Sequence, residues 1–235
     1  MILDFLFPQR CIGCDEVLEP WEKENGVCTS CIKSGAVKIA KEPLCKKCGV
    51  KLNDETMEYC ERCSQHSHIF IQAKPVFLYS GEAKNGMYRF KYSNRRAYAR
   101  TYAKTAVKLH SRWLKQIKPD VIIPVPMYKK KEKERGYNQA AVFGRELSKA
   151  TGILFDDKML IRVKNTTPLK TLGAEERQKN VKNAFQIADK GVKYKVVLIV
   201  DDIFTTGATA DESARTLLEA GVESVYVMTV CVGEA

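Results

Sequence analysis

An α/β fold built on a mainly parallel sheet, with a small metal-binding module in front of it, is the architecture this sequence predicts. Three observations predict it. Apolar runs of strand length alternate with helical patterns through the later two thirds of the chain. One run, Val196 to Val200, is apolar throughout and leads into Asp201 and Asp202, as expected of a strand buried on both faces that opens onto a ligand site at its carboxyl end. Eight of the nine cysteines fall between residues 11 and 63. At 235 residues and 45% hydrophobic, the chain can hold one full α/β domain and a small appended module, with the boundary expected between residues 67 and 68.

The module at 1–67 carries its cysteines as four Cys-x-x-Cys pairs: Cys11/Cys14, Cys28/Cys31, Cys45/Cys48 and Cys60/Cys63. Four thiolates at this spacing suit tetrahedral Zn2+, and eight make two structural sites. Sequential ligation gives two zinc ribbons in tandem; an interleaved cross-brace has the same spacing. His66 and His68 follow the last pair as alternative ligands. Four disulfides are the competing reading. Against them, Met1 to Pro8 lacks a basic region, a full-length apolar stretch and a cleavage site, so a cytoplasmic location without membrane insertion is expected. A segment this short with few large apolar side chains also needs metal to fold.

The second unit reads as follows. Lys74–Tyr79 is a strand, Lys84–Asn94 a polar loop, and Arg96–Lys115 a helix with Ala99, Ala103, Ala106, Val107 and Leu114 on its buried side. Asp120–Met127 is a buried strand ending at its prolines, Lys129–Gly136 a charged loop, and Tyr137–Ala150 a helix closed near Gly152. Leu160–Val163 is a short strand, Lys164–Gly173 a polar flexible stretch, Glu175–Asn180 a helical turn or two, and Phe185–Ile187 a short strand. Lys195–Val200 is the central strand, Asp211–Ala220 its helix, and Val225–Val232 the last strand, in which Cys231 is a small buried hydrophobe.

The chemistry concentrates after the central strand. Asp201 and Asp202 suit two vicinal hydroxyls, or a magnesium ion bridged to them. Thr205, Thr206, Gly207, Ala208 and Thr209 offer closely spaced backbone N–H groups, three hydroxyls and the start of a helix, a combination that favours a phosphate. Phosphate on one side and a diol on the other describe a ribose 5-phosphate. Val197 to Thr209 resembles the signature of type I phosphoribosyltransferases, in which the acids grip the ribose hydroxyls of phosphoribosyl pyrophosphate (PRPP) and the Thr-rich loop its 5-phosphate. Phe204 is bulkier than the usual aliphatic residue there. The resemblance implies a type I phosphoribosyltransferase-like sheet and Mg2+ carried with PRPP. It also implies a diphosphate loop at Met127–Gly136 with Lys129, Lys130, Lys131 and Arg135, and a closing loop at Lys164–Gly173. The loop lysines suit DNA phosphates equally.

Charge adds a second theme. The chain is +11, and between Lys84 and Arg135 sixteen Lys and Arg face three acids, so the remainder is nearly neutral. Arg96, Arg100, Lys104, Lys108 and Arg112 recur every four residues and make a stripe roughly 24 Å long on one helix. Lys91 and Arg95 lead into it, and Tyr88, Phe90, Tyr92, Tyr98, Tyr102 and Trp113 are interleaved. Cations that track phosphates and aromatics that stack on bases are the ingredients of single-strand binding; the alternative is a solvated helix face.

Phe90–Tyr92, Pro124–Pro126, Arg135–Gln139, Thr166–Leu169 and Arg177–Phe185 occur in that order between the cysteine module and the phosphoribosyl signature. In that combination the chain resembles the ComF (ComFC) competence family over nearly its whole length. The resemblance implies a cytoplasmic protein of natural transformation that handles incoming single-stranded DNA beside a DNA-translocating helicase. Two other readings stand: an active phosphoribosyltransferase with an unidentified acceptor, and a PRPP-sensing scaffold whose ribbons dock the helicase. No base-recognition hood is identifiable.

Overall fold

The structure, a computed structural model, describes residues 8–165, 174–188 and 192–233. Met1–Phe7, Thr166–Leu169 and most of the expected closing loop lie outside the described residues. The elements in chain order are α1 (Thr29–Lys33), α2 (Glu61–Gln65), β1 (Ala73–Leu78), α3 (Gly81–Tyr92), α4 (Tyr98–Ile117), β2 (Val121–Pro124), α5 (Lys129–Arg135), α6 (Gln139–Thr151), β3 (Leu154–Phe155), β4 (Leu160–Arg162), α7 (Ala174–Val181), β5 (Phe185–Ile187), β6 (Val196–Phe204), α8 (Ala208–Glu219) and β7 (Ser224–Val232).

Five strands form one wholly parallel sheet in the order β1-β7-β6-β2-β3. Its centre is apolar on both faces: Val197–Val200 of β6 and Val121–Ile123 of β2 are fully buried, which is why these strands read as unbroken apolar runs. β4 and β5 make a separate antiparallel pair. Helices cover both faces, so two core clusters lie on either side of the sheet. No helix among the described residues is long and apolar enough to cross a membrane.

The cysteine module folds around its thiols. Isolated antiparallel bridges join Arg10 to Val17 and Leu44 to Lys51, one on each side of the Cys11–Cys14 and Cys45–Cys48 turns. The second pair of each group opens a one-turn helix, with Cys28 and Cys60 as the caps of α1 and α2. The first ribbon docks on α3. Gly86 is the close approach: a Cβ there would stand 1.9 Å from the carbonyl oxygen of Ile12.

Several expectations need correction. Lys84–Asn94 is not a loop but most of α3, whose buried face is Ala83, Gly86, Met87 and Phe90; two glycines and a polar outer face obscure that stripe. Lys129–Gly136 is the helix α5, closed by Gly136 at φ +85°. It buries no residue, so periodicity has nothing to register, while Lys, Glu and Arg are good helix formers. β6 runs through the aspartates to Phe204, and α8 starts at Ala208, three residues before Asp211. The two-residue edge strand β3 was not anticipated.

Candidate functional site

The carboxyl ends of the parallel strands open onto a cavity of about 340 Å³. Tyr79 follows β1, Val125, Pro126 and Met127 follow β2, Asp201 to Phe204 end β6, and Thr229 lies in β7; all line it. Thr205, Thr206, Gly207, Ala208 and Thr209 form one wall, all five of the residues expected to cradle a phosphate. Gly207 takes φ +82° and caps α8, so the chain turns sharply from strand to helix there. The first-turn N–H groups of α8 have no intrahelical acceptors and join the positive end of the helix dipole at this wall.

Asp201 and Asp202 stand side by side on β6, linked by an Asp202 N–H bond to Asp201 Oδ1 at 2.8 Å. Burial and the adjacent Asp202 charge raise the Asp201 carboxyl to about 7. Lys91 brings Nζ to 2.8 Å from Asp202 Oδ2. Arg162, on β4, is half-buried beside Asp201 with its guanidinium over the Phe185 ring at 5.4 Å.

The opposite wall is cationic. Lys131 and Arg135 of α5 line the cavity, whereas Lys129 and Lys130 on the same helix are exposed and outside it. Burial lowers the Lys131 ammonium, and the charges of Arg162 and Arg135 add to the effect. Arg135 is held by an Nη1 bond to Gln139 Oε1 at 2.8 Å and lies over the Tyr92 ring at 5.0 Å. Lys91, Lys131, Arg135 and Arg162 outnumber the two acids, so the cavity favours an anion.

The wall formed by Thr205 to Thr209 rests on the segment leaving the second ribbon. His68 is buried, stacks on Phe70 at 4.7 Å and meets Phe204 edge-on at 5.7 Å. Asp211 of α8 accepts from His68 Nδ1 and from the Ile69 N–H, both at 2.8 Å. The segment leaving the ribbon is thereby tied to the helix that carries the loop.

Two compact thiol clusters account for the eight paired cysteines: Cys11, Cys14, Cys28 and Cys31 in one, Cys45, Cys48, Cys60 and Cys63 in the other. Within each, the four sulfurs lie within 4.8 Å of one another, which suits a tetrahedral zinc. The grouping is sequential, not interleaved. Neither histidine joins a cluster; His66 is exposed and His68 is engaged by Asp211. Cys231 is buried in β7.

The basic stripe divides. Arg100, Lys104, Lys108 and Arg112 are exposed on α4, and no described carboxylate pairs with them within 4.0 Å. Arg96 precedes the helix, stacks on Tyr137 at 4.4 Å and donates to the Gly136 carbonyl. Lys91 does not belong to this face: it is drawn inward to Asp202. Arg95 is held by Asp15 of the first ribbon at 2.6 Å. The interleaved aromatics also need correction. Phe90, Tyr98 and Tyr102 are core residues, and the Trp113 indole N–H donates to Gln72. Apolar periodicity on two amphipathic helices, not base stacking, places them. Tyr88 and Tyr92 remain exposed, at 60% and 52%.

Comparison with known proteins agrees with this architecture. Residues 2–64 match the family model for a double zinc ribbon domain, and residues 92–235 that for a phosphoribosyl transferase domain. Competence protein F of Haemophilus influenzae is 33% identical over 226 residues, covering 94% of this chain and 96% of the relative. This chain belongs to the ComF/ComFC competence family. Competence protein ComFC of Bacillus subtilis is 28% identical over 87% of this chain and 82% of its own length. DNA utilization protein YhgH of Escherichia coli K12 is 30% identical over 88% and 90%.

Sequence reasoning missed part of this ComF-family pocket. Arg162 was only a residue of a short strand, and Lys91 was assigned to the outer face. A charged residue inside a four-residue apolar strand, and a lysine between Phe90 and Tyr92, are the signals that mark them.

Proposed function

We propose that this protein serves natural competence by handling incoming single-stranded DNA, and that its cavity binds a phosphoribosyl ligand such as PRPP. The observation that carries the reading is the cavity itself: an acid pair, a Thr-Gly-Ala-Thr turn opening a helix, and a cationic wall converge at the carboxyl end of β6. Full-length relatives named for competence and DNA utilization support the cellular role. The cytoplasm is the location that goes with it.

The residues divide the ligand chemically. Backbone N–H groups of the turn and the hydroxyls of Thr205, Thr206 and Thr209 donate to the 5-phosphate. Asp201 and Asp202 accept from the ribose hydroxyls. Lys131 and Arg135 neutralise a diphosphate, with Arg135 oriented by Gln139. This wall offers cations and no carboxylate to hold an ion, so magnesium would be carried by the diphosphate itself, whose charge it would shield. The phosphoribosyl carbon would then lie between the acid pair and the cationic wall, where diphosphate departure is electrostatically favoured. That arrangement supports a second reading, an active transferase whose acceptor is unidentified.

DNA would follow Arg100, Lys104, Lys108 and Arg112, exposed on α4, with Arg96 just before the helix and Lys129 and Lys130 as further phosphate contacts. Tyr88 is the exposed stacking surface, with Tyr92 beside it carrying Arg135 over its ring. The two metal clusters hold the ribbons as structural zinc sites, and their outer surface is the expected dock for a DNA-translocating helicase.

Two measurements on the zinc-loaded protein test this. Fluorescence anisotropy should show salt-sensitive binding that prefers single strands over duplex. Calorimetry should show PRPP binding that is lost when Asp201 and Asp202 are both replaced by asparagine. DNA binding without PRPP binding would remove the pocket assignment; PRPP binding without DNA binding would favour the transferase.

A further inference from the structure

The acid pair assigned to the ribose hydroxyls is already met by a cation of the chain. Lys91 comes from the last turn of α3, and the Lys91 and Asp202 side chains are only 15% and 18% exposed at their 2.8 Å contact. Burial works against the ammonium, but attraction to Asp202 and then Asp201 outweighs it and raises the Lys91 pKa. Arg162 stands near Asp201 and favours its ionised form. The other ionisable neighbours are Tyr79, Tyr92 and Cys231; the phenol of Tyr79 and the thiol of Cys231 are pushed upward, chiefly by burial, and stay neutral. Asp202 is therefore paired with Lys91, while Asp201, raised to about 7, carries only part of a charge beside Arg162.

A divalent ion at this point would gain little. The Asp202 charge is taken by Lys91, Asp201 is held partly protonated by burial and by Asp202, and an ion would stand against the Lys91 and Arg162 cations. Magnesium also gives up its water reluctantly and prefers several free oxygen ligands. An ammonium, by contrast, offers three N–H donors, one for Asp202 and others for sugar oxygens.

We infer that Lys91 takes the place of a divalent cation at the ribose end of the pocket, so that Asp201, Asp202 and Lys91 hold the diol without a metal. This rests on the phosphoribosyl reading and deepens it. The diol hydroxyls donate to the carboxylates while the Lys91 ammonium donates to a hydroxyl oxygen. Magnesium is then confined to ligands that carry a diphosphate.

The test is calorimetry of the full zinc-loaded chain with ribose 5-phosphate, which has the diol and 5-phosphate but no diphosphate. Magnesium is omitted or added at millimolar level, without chelator, so that the zinc sites stay intact. The expected result is an affinity that changes by less than about 2-fold on adding magnesium, while 2-deoxyribose 5-phosphate binds about 10-fold more weakly. In Lys91→Met the affinity should drop and become magnesium-dependent by about 10-fold or more; Lys91→Arg should keep metal independence. Wild-type binding that already requires magnesium overturns the inference but leaves the pocket. Ribose 5-phosphate that fails to bind with or without magnesium removes the pocket reading and this inference together. Should Lys91→Met not fold, the wild-type comparison decides alone.

Discussion

Replacing Gly207 by alanine probes how far the Thr205–Thr209 turn, proposed to hold a phosphate, depends on the cysteine module. Gly207 sits at φ +82°, and a Cβ there would stand 2.4 Å from Cε1 and 2.9 Å from Nδ1 of His68, and 2.9 Å from Cζ of Phe204. His68 has little room to yield, being stacked on Phe70 at 4.7 Å and bonded to Asp211 at 2.8 Å. The left-handed backbone costs alanine about 1 kcal/mol. Forcing a methyl group into a filled contact costs a further ~1–3 kcal/mol. The sum is a destabilisation of about 2–4 kcal/mol. Urea unfolding of the zinc-loaded wild type, Gly207→Ala, His68→Ala and the double variant would read it. With His68 truncated only the Phe204 contact remains, so adding Gly207→Ala should cost about 1–2 kcal/mol, less than in the wild type. Part of the strain is relieved by loop displacement, so ribose 5-phosphate affinity should fall as well. A Gly207→Ala protein within about 0.5 kcal/mol of wild type, with unchanged affinity, would refute the packing argument.

Three further outcomes are expected. Reversing Arg100, Lys104 and Lys108 to glutamate should weaken single-stranded DNA binding and reduce the magnitude of its log–log salt slope by about 2, measured by anisotropy across a salt series; an unchanged slope makes α4 a solvated face. Asp201→Asn should stabilise the protein at pH 8 by roughly 2 kcal/mol or more. A carboxyl raised to about 7 from its usual 3.8 opposes folding only when ionised. The advantage should therefore shrink as pH falls through 7 and be gone near pH 4; urea midpoints that show no such convergence would contradict the assigned environment. Stripping the metal with a chelator should lower Tm by roughly 10 °C or more and weaken ribose 5-phosphate binding, since the thiol clusters replace a core the module lacks. A Tm that stays put would mean the clusters are not structural sites.

The legible parts of this protein were those with a local signature. The Cys-x-x-Cys spacing marked both thiol clusters because knuckle geometry is set by four consecutive residues. The run from Val196 into Asp201 marked a doubly buried strand because burial on both faces leaves no polar alternation. The helices α3 and α5 were read as loops for opposite reasons. In α3 the buried positions include Gly86, which carries no hydropathy signal but marks contact with the first ribbon. In α5 nothing is buried at all, so only propensity speaks for it.

The sequence by itself determined the two metal clusters, the parallel α/β frame and the acid pair with its threonine turn, since each depends on residue types at short spacing. Only the tertiary structure decided which charges meet. Lys91 lies 110 residues before Asp201 and reaches the acid pair because β1, which leads into α3, lies in the same sheet as β6 with β7 between them. Arg162 enters from a separate two-stranded sheet, and His68 joins the second ribbon to α8 through Asp211. Such pairings depend on strand order and helix packing, and neither is written in the spacing of neighbouring residues. The same reason separates the cations of α4 that face solvent from Lys91 and Arg95, which the folded chain keeps for itself.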